Sequence, residues 1–328
     1  MDWNRGLEAR YYATVIDKDT WRDLDRFEIT GGQISRSLGE LIESADVETV
    51  NYTQGEQWIR VWMDARQDGA SEHIPMFTGL ATSPADNYNG DLMTNTLECY
   101  SVLKPCQDVL LPRGWYAPQD SGKNVIEDLL SVTPAPVEIT DDTPRLKKAI
   151  IAEQGESNLS MVNKILLAIN WRIRITGNGI IEVCPQADTP SAEFGNDNDT
   201  IEPVFSKSYD WYGCPNVFRA TMGDDSAVAI DDSENSILST VNRGREIWAE
   251  DTSVNLGENE TLYEYALRRL KDEQMVAQTL SYDRRYNPDV TVTDLVRLKY
   301  KQMMGLYYVT SQRIEIGYGA KTTEEVVR

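Results

Sequence analysis

Long apolar segments are absent from this sequence of 328 residues. No run approaches the roughly 20 apolar residues that a membrane-spanning helix needs. The polar start, MDWNRGLEAR, also lacks the apolar core of a signal peptide. We therefore expect no membrane anchor and predict synthesis in a cytoplasm.

Histidine and cysteine, which supply many metal ligands and nucleophiles, are scarce. There is one histidine, His73, in a predicted loop, and the four cysteines include no CxxC pair. We interpret His73 as a structural side chain and the cysteines, Cys99, Cys106, Cys184 and Cys214, as buried thiols. No GxSxG, Walker or GxGxxG motif is present. The sequence thus predicts no catalytic residue, cofactor or metal site.

Acidic pairs are the remaining candidates for chemistry, because two carboxylates are sufficient to hydrolyse a glycoside. Asp224 with Asp225 and Asp231 with Asp232 stand in polar segments without an apolar surrounding that would raise a pKa, so we interpret them as solvated. The segment GNDNDT at 195–200 resembles half of a calcium loop but lacks the glycine and glutamate that complete one.

Basic charge is also in short supply. Against 53 Asp and Glu the chain has 32 Lys and Arg, which gives a formal net charge of −21. Such a charge repels nucleic-acid phosphates and anionic membranes, so specific DNA binding is not expected. An acidic wall nevertheless suits a polyanion that moves past it, because the wall does not hold it.

Short β-strand patterns are abundant in the first third of the chain. Residues 7–16 alternate apolar and polar side chains, and further strand-like runs end at a turn or glycine; these runs are 26–30, 46–52, 57–63, 77–82 and 93–103. This spacing predicts a small barrel or sandwich. Residues 37–44, SLGELIES, fit either a helical turn or a loop.

The middle of the chain has a mixed pattern that begins after the proline-rich boundary at 105–120. A helix capped by Asp120 or Ser121 is predicted through Leu130, and a second one over 158–170 with Ser157 as its cap. Two strands joined at Gly-Asn-Gly, 177–179, then predict a hairpin. The polar tract 187–203 is interpreted as a linker or long loop.

The last third returns to β-strand patterns. Strands are predicted near 205–222, an acidic loop over 224–236, and a helix from a capping box at Thr261 to about 277. Residues 279–316 then predict a three-strand meander, so the second β module is interrupted by a helical insertion.

Exposed-looking aromatic residues and the last meander strand are the candidates for subunit contacts. Aromatic side chains outside obvious core patterns either pack between domains or lie in subunit interfaces, where Tyr and Trp are favoured. We predict that residues 306–316, LYYVTSQRIEI, form an edge strand on which a neighbouring subunit pairs. The predicted interface residues are Tyr307, Tyr308, Val309, Arg313, Ile314, Trp211 and Trp248.

Four long segments resemble a known family. They are VNYTQGEQWIRVWMDARQDG (50–69), LECYSVLKPCQDVLLPRGWY (97–116), NLSMVNKILLAINWRIRITGNGIIEV (158–183) and YEYALRRLKDEQ with SYDRRYNPDVTVTDLVRL (263–298). Through them the chain resembles the baseplate hub, or tail-tip hub, proteins of tailed bacteriophages and related contractile injection particles.

The resemblance implies a mainly β fold with two tube-like β-barrel domains and inserted α+β modules. The corresponding division is a first barrel over 1–115, an α+β domain over 116–204, and a second barrel over 205–240 and 279–328 with a helical insertion over 241–278.

It further implies a homotrimeric, pseudo-hexameric ring in the virion. Such a ring joins the tail tube or a distal tail protein to a central spike, fibre or tail-tip protein, contacts the C-terminus of a tape-measure protein, and lets DNA pass. The alternatives are a cell-wall glycoside hydrolase or peptidase, which a peptidoglycan zymogram would reveal, and a carbohydrate-binding adhesin.

Overall fold

Mainly β structure characterises the computed structural model, which describes the chain except residues 4, 51, 53, 54, 91, 196–200 and 318–319. Short helices lie between groups of strands. Within the described residues, no helix has both the length and the apolar character required to cross a membrane.

Six strands from the first hundred residues close on themselves. They are β1 Glu8–Ile16, β2 Asp23–Ser37, β3 Glu43–Val50, β4 Gln57–Gln67, β5 Ala70–Asn89 and β6 Leu92–Ser101. The pairing order is β1-β4-β5-β6-β3-β2, and β2 pairs again with β1. Alternate side chains, such as Ala45 and Val47 of β3, point into one apolar core, as the period of two requires. Residues 38–42, open to two interpretations in the sequence, contain no helix.

A set of helices and short strands follows, and its apolar core also includes Ile16 and Trp58 of the six-strand circuit. Its elements are α1 Lys104–Asp108, β7 Tyr116–Ala117, α2 Lys123–Leu130, β8 Val137–Ile139, β9 Ile150–Ile151, α3 Asn158–Ile169, β10 Trp171–Ile175 and β11 Ile181–Pro185. Ser157 caps α3 by accepting a hydrogen bond from the Ser160 backbone N at 3.1 Å. The predicted cap of α2 is wrong, since that helix starts after Gly122 without a side-chain cap.

The β10–β11 turn fastens this module to the closed strand circuit. Thr78 Oγ1 donates a hydrogen bond to the Gly177 carbonyl at 2.7 Å, and Arg60 and Trp21 both donate to the Asn178 carbonyl at 3.0 Å. A Cβ on Gly177 would lie 1.9 Å from the Pro75 carbonyl oxygen. Any other residue would clash there, so the turn requires glycine.

The second half of the chain alternates between two sheets. Its elements are β12 Pro190–Gly195, β13 Ile201–Tyr209, β14 Val217–Met222, β15 Asp225–Ile230, α4 Thr240–Arg243, β16 Trp248–Asp251, α5 Leu262–Met275, β17 Gln278–Arg285, β18 Leu295–Tyr300, β19 Met303–Glu315 and β20 Lys321–Val327. Strands β15-β14-β16 form a separate sheet, against which α5 packs. The others pair in the order β12-β18-β19-β20-β17-β13. Thr261 and Glu264 form the predicted capping box of α5.

Strand β19 unites the two halves of the molecule. Its residues 311–315 pair with residues 33–37 of β2, while residues 303–308 pair with β18 and the other edge pairs with β20. An uninterrupted row of eight strands, β5-β6-β3-β2-β19-β20-β17-β13, therefore crosses the chain. The prediction that 306–316 is a free edge is wrong, because β19 has hydrogen-bonded neighbours on both sides.

The pairing also corrects four local predictions. The proposed linker at 187–203 contains β12 and the start of β13, and the acidic loop at 224–236 contains β15. Residues 217–230 were predicted within the second barrel, but β14 pairs with β15 and β16, and neither β14 nor β15 pairs with 279–328. The predicted meander has β20 inserted between β17 and β19, and its middle strand starts at Leu295, not at Val290. Distant partner strands decide the structure of β12, β14 and β17, whereas β15 pairs with β14 across a short turn.

We predict that Gly177→Ala lowers the free energy of unfolding by about 1–3 kcal/mol, because the added methyl must push the β10–β11 turn away from Pro75. Gly39→Ala is the matched control, since a Cβ there meets nothing within 4 Å; its change should stay within about 0.5 kcal/mol. Urea unfolding measures both. Equal effects of the two variants would contradict a close seat for the turn.

Candidate functional site

A buried polar network lies where β2 meets β19. Arg36 on β2 donates to Glu43 Oε2 at 3.3 Å, to the Met76 carbonyl at 2.6 Å and to Gln312 Oε1 at 3.4 Å. Gln312 in turn donates to Glu324 Oε2 at 2.7 Å and to the Val290 carbonyl. One amide thus bridges polar groups of the closed circuit β1–β6, which we call the first strand group, and of the row β12-β18-β19-β20-β17-β13, the second strand group.

The network continues into the second strand group through an enclosed ion pair. Arg284 on β17 pairs with Glu324 on β20, and Tyr282 donates its hydroxyl proton to the same carboxylate. Both charged side chains are fully buried. Burial raises the pKa of Tyr282 well above its ordinary value, and the negative charge of Glu324 adds to the shift. The phenol therefore stays protonated and serves as a donor.

Glu43 is the less satisfied carboxyl of this junction. Its Oε1 atom is buried without a hydrogen-bond partner among the described residues. Burial raises the pKa of Glu43 from 4.5 to about 7, although the Arg36 guanidinium opposes the shift. The junction therefore holds a carboxyl that gains or loses its proton near neutral pH.

An acidic row crosses the exposed face above the junction. Asp46 on β3 lies directly opposite Glu98 on β6 and opposite Gln33 on β2, which itself lies opposite Glu315 on β19. Glu48 follows Asp46 on the same face. Like charges that face each other across a sheet repel, and no Lys or Arg nitrogen of the described chain lies within 4.0 Å of these carboxylates. Asp46 and Glu98 also help to raise the pKa of the Cys99 thiol, although its burial is the larger cause.

The seven predicted interface residues divide into buried and exposed groups. Tyr307, Val309 and Ile314 lie in apolar cores of the chain itself. The Tyr308 hydroxyl donates to the Ala187 carbonyl at 3.1 Å, and exposed Arg313 donates to Gln33 Oε1 at 2.6 Å. Trp211 and Trp248 are each 47% exposed. Only these two tryptophans and Arg313 therefore offer a substantial surface to a partner.

The weaker sequence candidates have ordinary surroundings. His73 lies in strand β5, not in a loop, and its exposed ring contacts Asp64 Oδ1 at 2.6 Å. Cys99, Cys106 and Cys214 are buried free thiols, as predicted, whereas Cys184 is half-buried. Among the described residues, no group of three potential ligand side chains is placed to hold a metal ion. Most of the segment GNDNDT, residues 196–200, lies outside the described chain.

Two exposed features were missed by the sequence reasoning. Beyond Ala81, strand β5 pairs only with β6, so the two strands continue as a ribbon with exposed Tyr88 and Leu92. The second feature is a cation next to an exposed ring: Lys207 lies beside Tyr209. The sequence signal for the ribbon was the polar run 82–96. This run is longer than strands β4 and β6, the two neighbours of β5.

Comparison with solved structures identifies the fold. The 43 kDa tail protein of prophage MuSo2 from Shewanella oneidensis superposes with a TM-score of 0.69 at 14% identity, over 98% of both chains. A tail protein from Neisseria meningitidis MC58 gives 0.66 at 14% identity, over 97% of both. The chain has the fold of phage tail proteins. The resemblance to baseplate hub proteins is confirmed at this level.

The fold extends to secretion machines related to phage tails. The c3393 protein of E. coli, a type VI secretion component structurally similar to the T4 bacteriophage tail proteins gp27 and gp5, gives a TM-score of 0.55 at 8% identity, over 98% of this chain and 76% of that one. Neither protein-family models nor curated protein sequences gave a match.

We predict that Gln312→Leu lowers the free energy of unfolding by about 2–4 kcal/mol, because it leaves Arg36 and Glu324 each with one fewer buried partner. Gln302→Leu makes the same chemical change at an exposed turn and is the control. Thermal or urea unfolding measures the difference. Equal stability of the two variants would show that the amide does not hold the junction.

The pKa of Glu43 predicts a pH dependence of stability. The folded chain keeps this proton up to about pH 7, whereas the unfolded chain releases it near 4.5, so the free energy of unfolding falls as pH rises between these values. In Glu43→Gln this fall should shrink by on the order of 2 kcal/mol. Urea unfolding at pH 5 and pH 7 tests it, with exposed Glu40→Gln as control. An unchanged fall in Glu43→Gln would contradict the assignment.

Proposed function

We propose that the chain is a non-enzymatic structural hub of a phage tail tip or baseplate, and that three copies assemble into a ring. The observation that carries the proposal is the eight-strand row through β2 and β19, in a fold shared with phage tail proteins. A continuous row provides a rigid wall, whereas a catalytic protein needs a concave cluster of reactive groups.

The two strand groups correspond to two tube-like barrels. The closed circuit of β1–β6 is the first, and the row β12-β18-β19-β20-β17-β13 is the second. Residues 116–186 then lie in sequence between the first barrel and the second. Residues 210–277 are inserted between β13 and β17 of the second barrel. Two barrels in each of three copies make six similar units, which matches the symmetry of a hexameric tail tube.

The ends of the eight-strand row support assembly from head to tail. In the described chain β13 has one neighbour, β17, and the far part of β5 has only β6. Unpaired strand edges promote association. A contact between unlike ends forms a closed ring when the rotation between copies closes.

In this ring the acidic row of Asp46, Glu98 and Glu315 lines the lumen. Repulsive walls let DNA pass without binding it. The partners are then the tail tube or a distal tail protein on one side and a central spike, fibre or tail-tip protein on the other, with the C-terminus of a tape-measure protein inside. The location is the virion.

The mass of the purified protein tests the ring. We expect a species of about three times the 37.1 kDa chain, which increases with concentration. Native mass spectrometry and sedimentation equilibrium over a wide concentration range measure it. A single-chain mass at all concentrations would contradict a ring that forms from this protein alone.

A further inference from the structure

An exposed aromatic and basic surface lies at the end of the eight-strand row. Tyr209 on β13 and Trp211 just beyond it have ring centroids 5.0 Å apart, and Lys207 Nζ lies 5.1 Å from the Tyr209 ring. Tyr212, 83% exposed, has the Arg245 guanidinium 5.7 Å from its ring. We call Lys207, Tyr209, Trp211, Tyr212, Arg243 and Arg245 the aromatic patch.

The backbone under the aromatic patch is held in place. Arg243 donates hydrogen bonds to the carbonyls of Trp211 at 2.6 Å and of Cys214 at 2.7 Å. Exposed rings on a fixed loop lose little conformational freedom on binding, which favours them as anchors in an interface. The patch is therefore built for contact.

The cations of the aromatic patch are outside the ion pairs of the described chain. No carboxylate of the described chain pairs with Lys207, Arg243 or Arg245 within 4.0 Å, whereas the chain carries −21 overall. Carboxylates of Asp210, Asp231 and Glu273 act on the thiol of Cys214 next to Arg243, so what the patch offers a partner is cations outside ion pairs and not a net positive charge. A second copy is thus an electrostatically suitable partner.

The ribbon at the other end of the row has the complementary character. From residue 84 to residue 90 its side chains are exposed, and Tyr88 and Leu92 present 71% and 49% of their surfaces. Among the described residues of the ribbon the charged group is Asp86, which accepts a hydrogen bond from Asn95. A two-stranded ribbon is marginally stable in water by itself and gains from packing against another surface.

We propose that the tip of the β5–β6 ribbon of one copy docks on the aromatic patch of the next copy. This inference rests on the ring proposed above and names its interface. Tyr88 and Leu92 supply apolar surface to the rings of Trp211 and Tyr212, while Asp86 meets the cations of the patch that form no ion pair within the described chain. Because ribbon and patch lie at opposite ends of the row, each copy uses both once.

A double-mutant cycle tests the contact. Tyr88→Ala with Leu92→Ala removes the ribbon side chains, and Trp211→Ala with Tyr212→Ala removes the patch side chains. Each pair should weaken ring assembly at least about tenfold. Combining all four changes should weaken it by less than the product of the two effects, because both remove the same contact.

Sedimentation equilibrium measures assembly, and circular dichroism checks that every variant folds. Tyr116→Ala with Ile151→Ala, two exposed side chains on β7 and β9, is the matched control and should leave assembly unchanged. A second measurement uses Tyr88→Cys with Tyr212→Cys in a Cys184→Ser background, where a short bis-maleimide should link copies covalently.

The outcomes separate this inference from the proposed function. A wild-type protein that never exceeds one chain contradicts the ring and, with it, the contact. If the wild-type protein forms a ring and the ribbon and patch variants form it equally well, the contact alone is overturned. The same holds if the two pairs of substitutions weaken assembly by fully multiplicative factors, or if only one of the two pairs weakens it. The contact would also be overturned if the bis-maleimide linked copies equally well in the Cys184→Ser protein that has neither new cysteine.

Discussion

The buried amide of Gln312 is the interaction on which the rest of the molecule depends. It lies between Arg36 of the first strand group and Glu324 of the second, and both charged groups are removed from water. Charges in such a place are tolerated only when paired and hydrogen-bonded, so breaking one link leaves an uncompensated charge. The eight-strand row is continuous because β2 and β19 meet at this point in one register.

That register also decides the chemistry of the exposed face. Buried Gln312 and Ile314 alternate along β19 with exposed Arg313 and Glu315. A slip by one residue would turn Arg313 and Glu315 into the core, which a strand with one buried face cannot accept. The polar junction beneath the sheet and the acidic row above it are thus two results of the same alignment, and the mutual repulsion of the row is borne by the sheet.

The proposed function rests on surfaces and not on reactive groups. Carboxyl groups with a shifted pKa often mark active sites. Glu43, however, is buried beside Arg36, and this burial accounts for its raised pKa. Among the described residues, the ribbon, the free edge of β13 and the aromatic patch are the surfaces on which the proposed assembly rests. They lie at the ends of a continuous wall, which is the arrangement expected of a component that assembles with copies of itself.

Local chemistry within the sequence determined α3 with its Ser157 cap, α5 with its capping box and the hairpin at 177–179, because neighbouring residues form each of them. It also determined the alternation of the first six strands and the excess of acid. Only the tertiary structure decided that β12 is a strand, that β20 separates β17 from β19, and that Tyr307 and Val309 are core residues. The partner of such a strand lies far away in sequence. The residue pattern of the strand shows that one face is buried, but it does not show which strand or core covers that face.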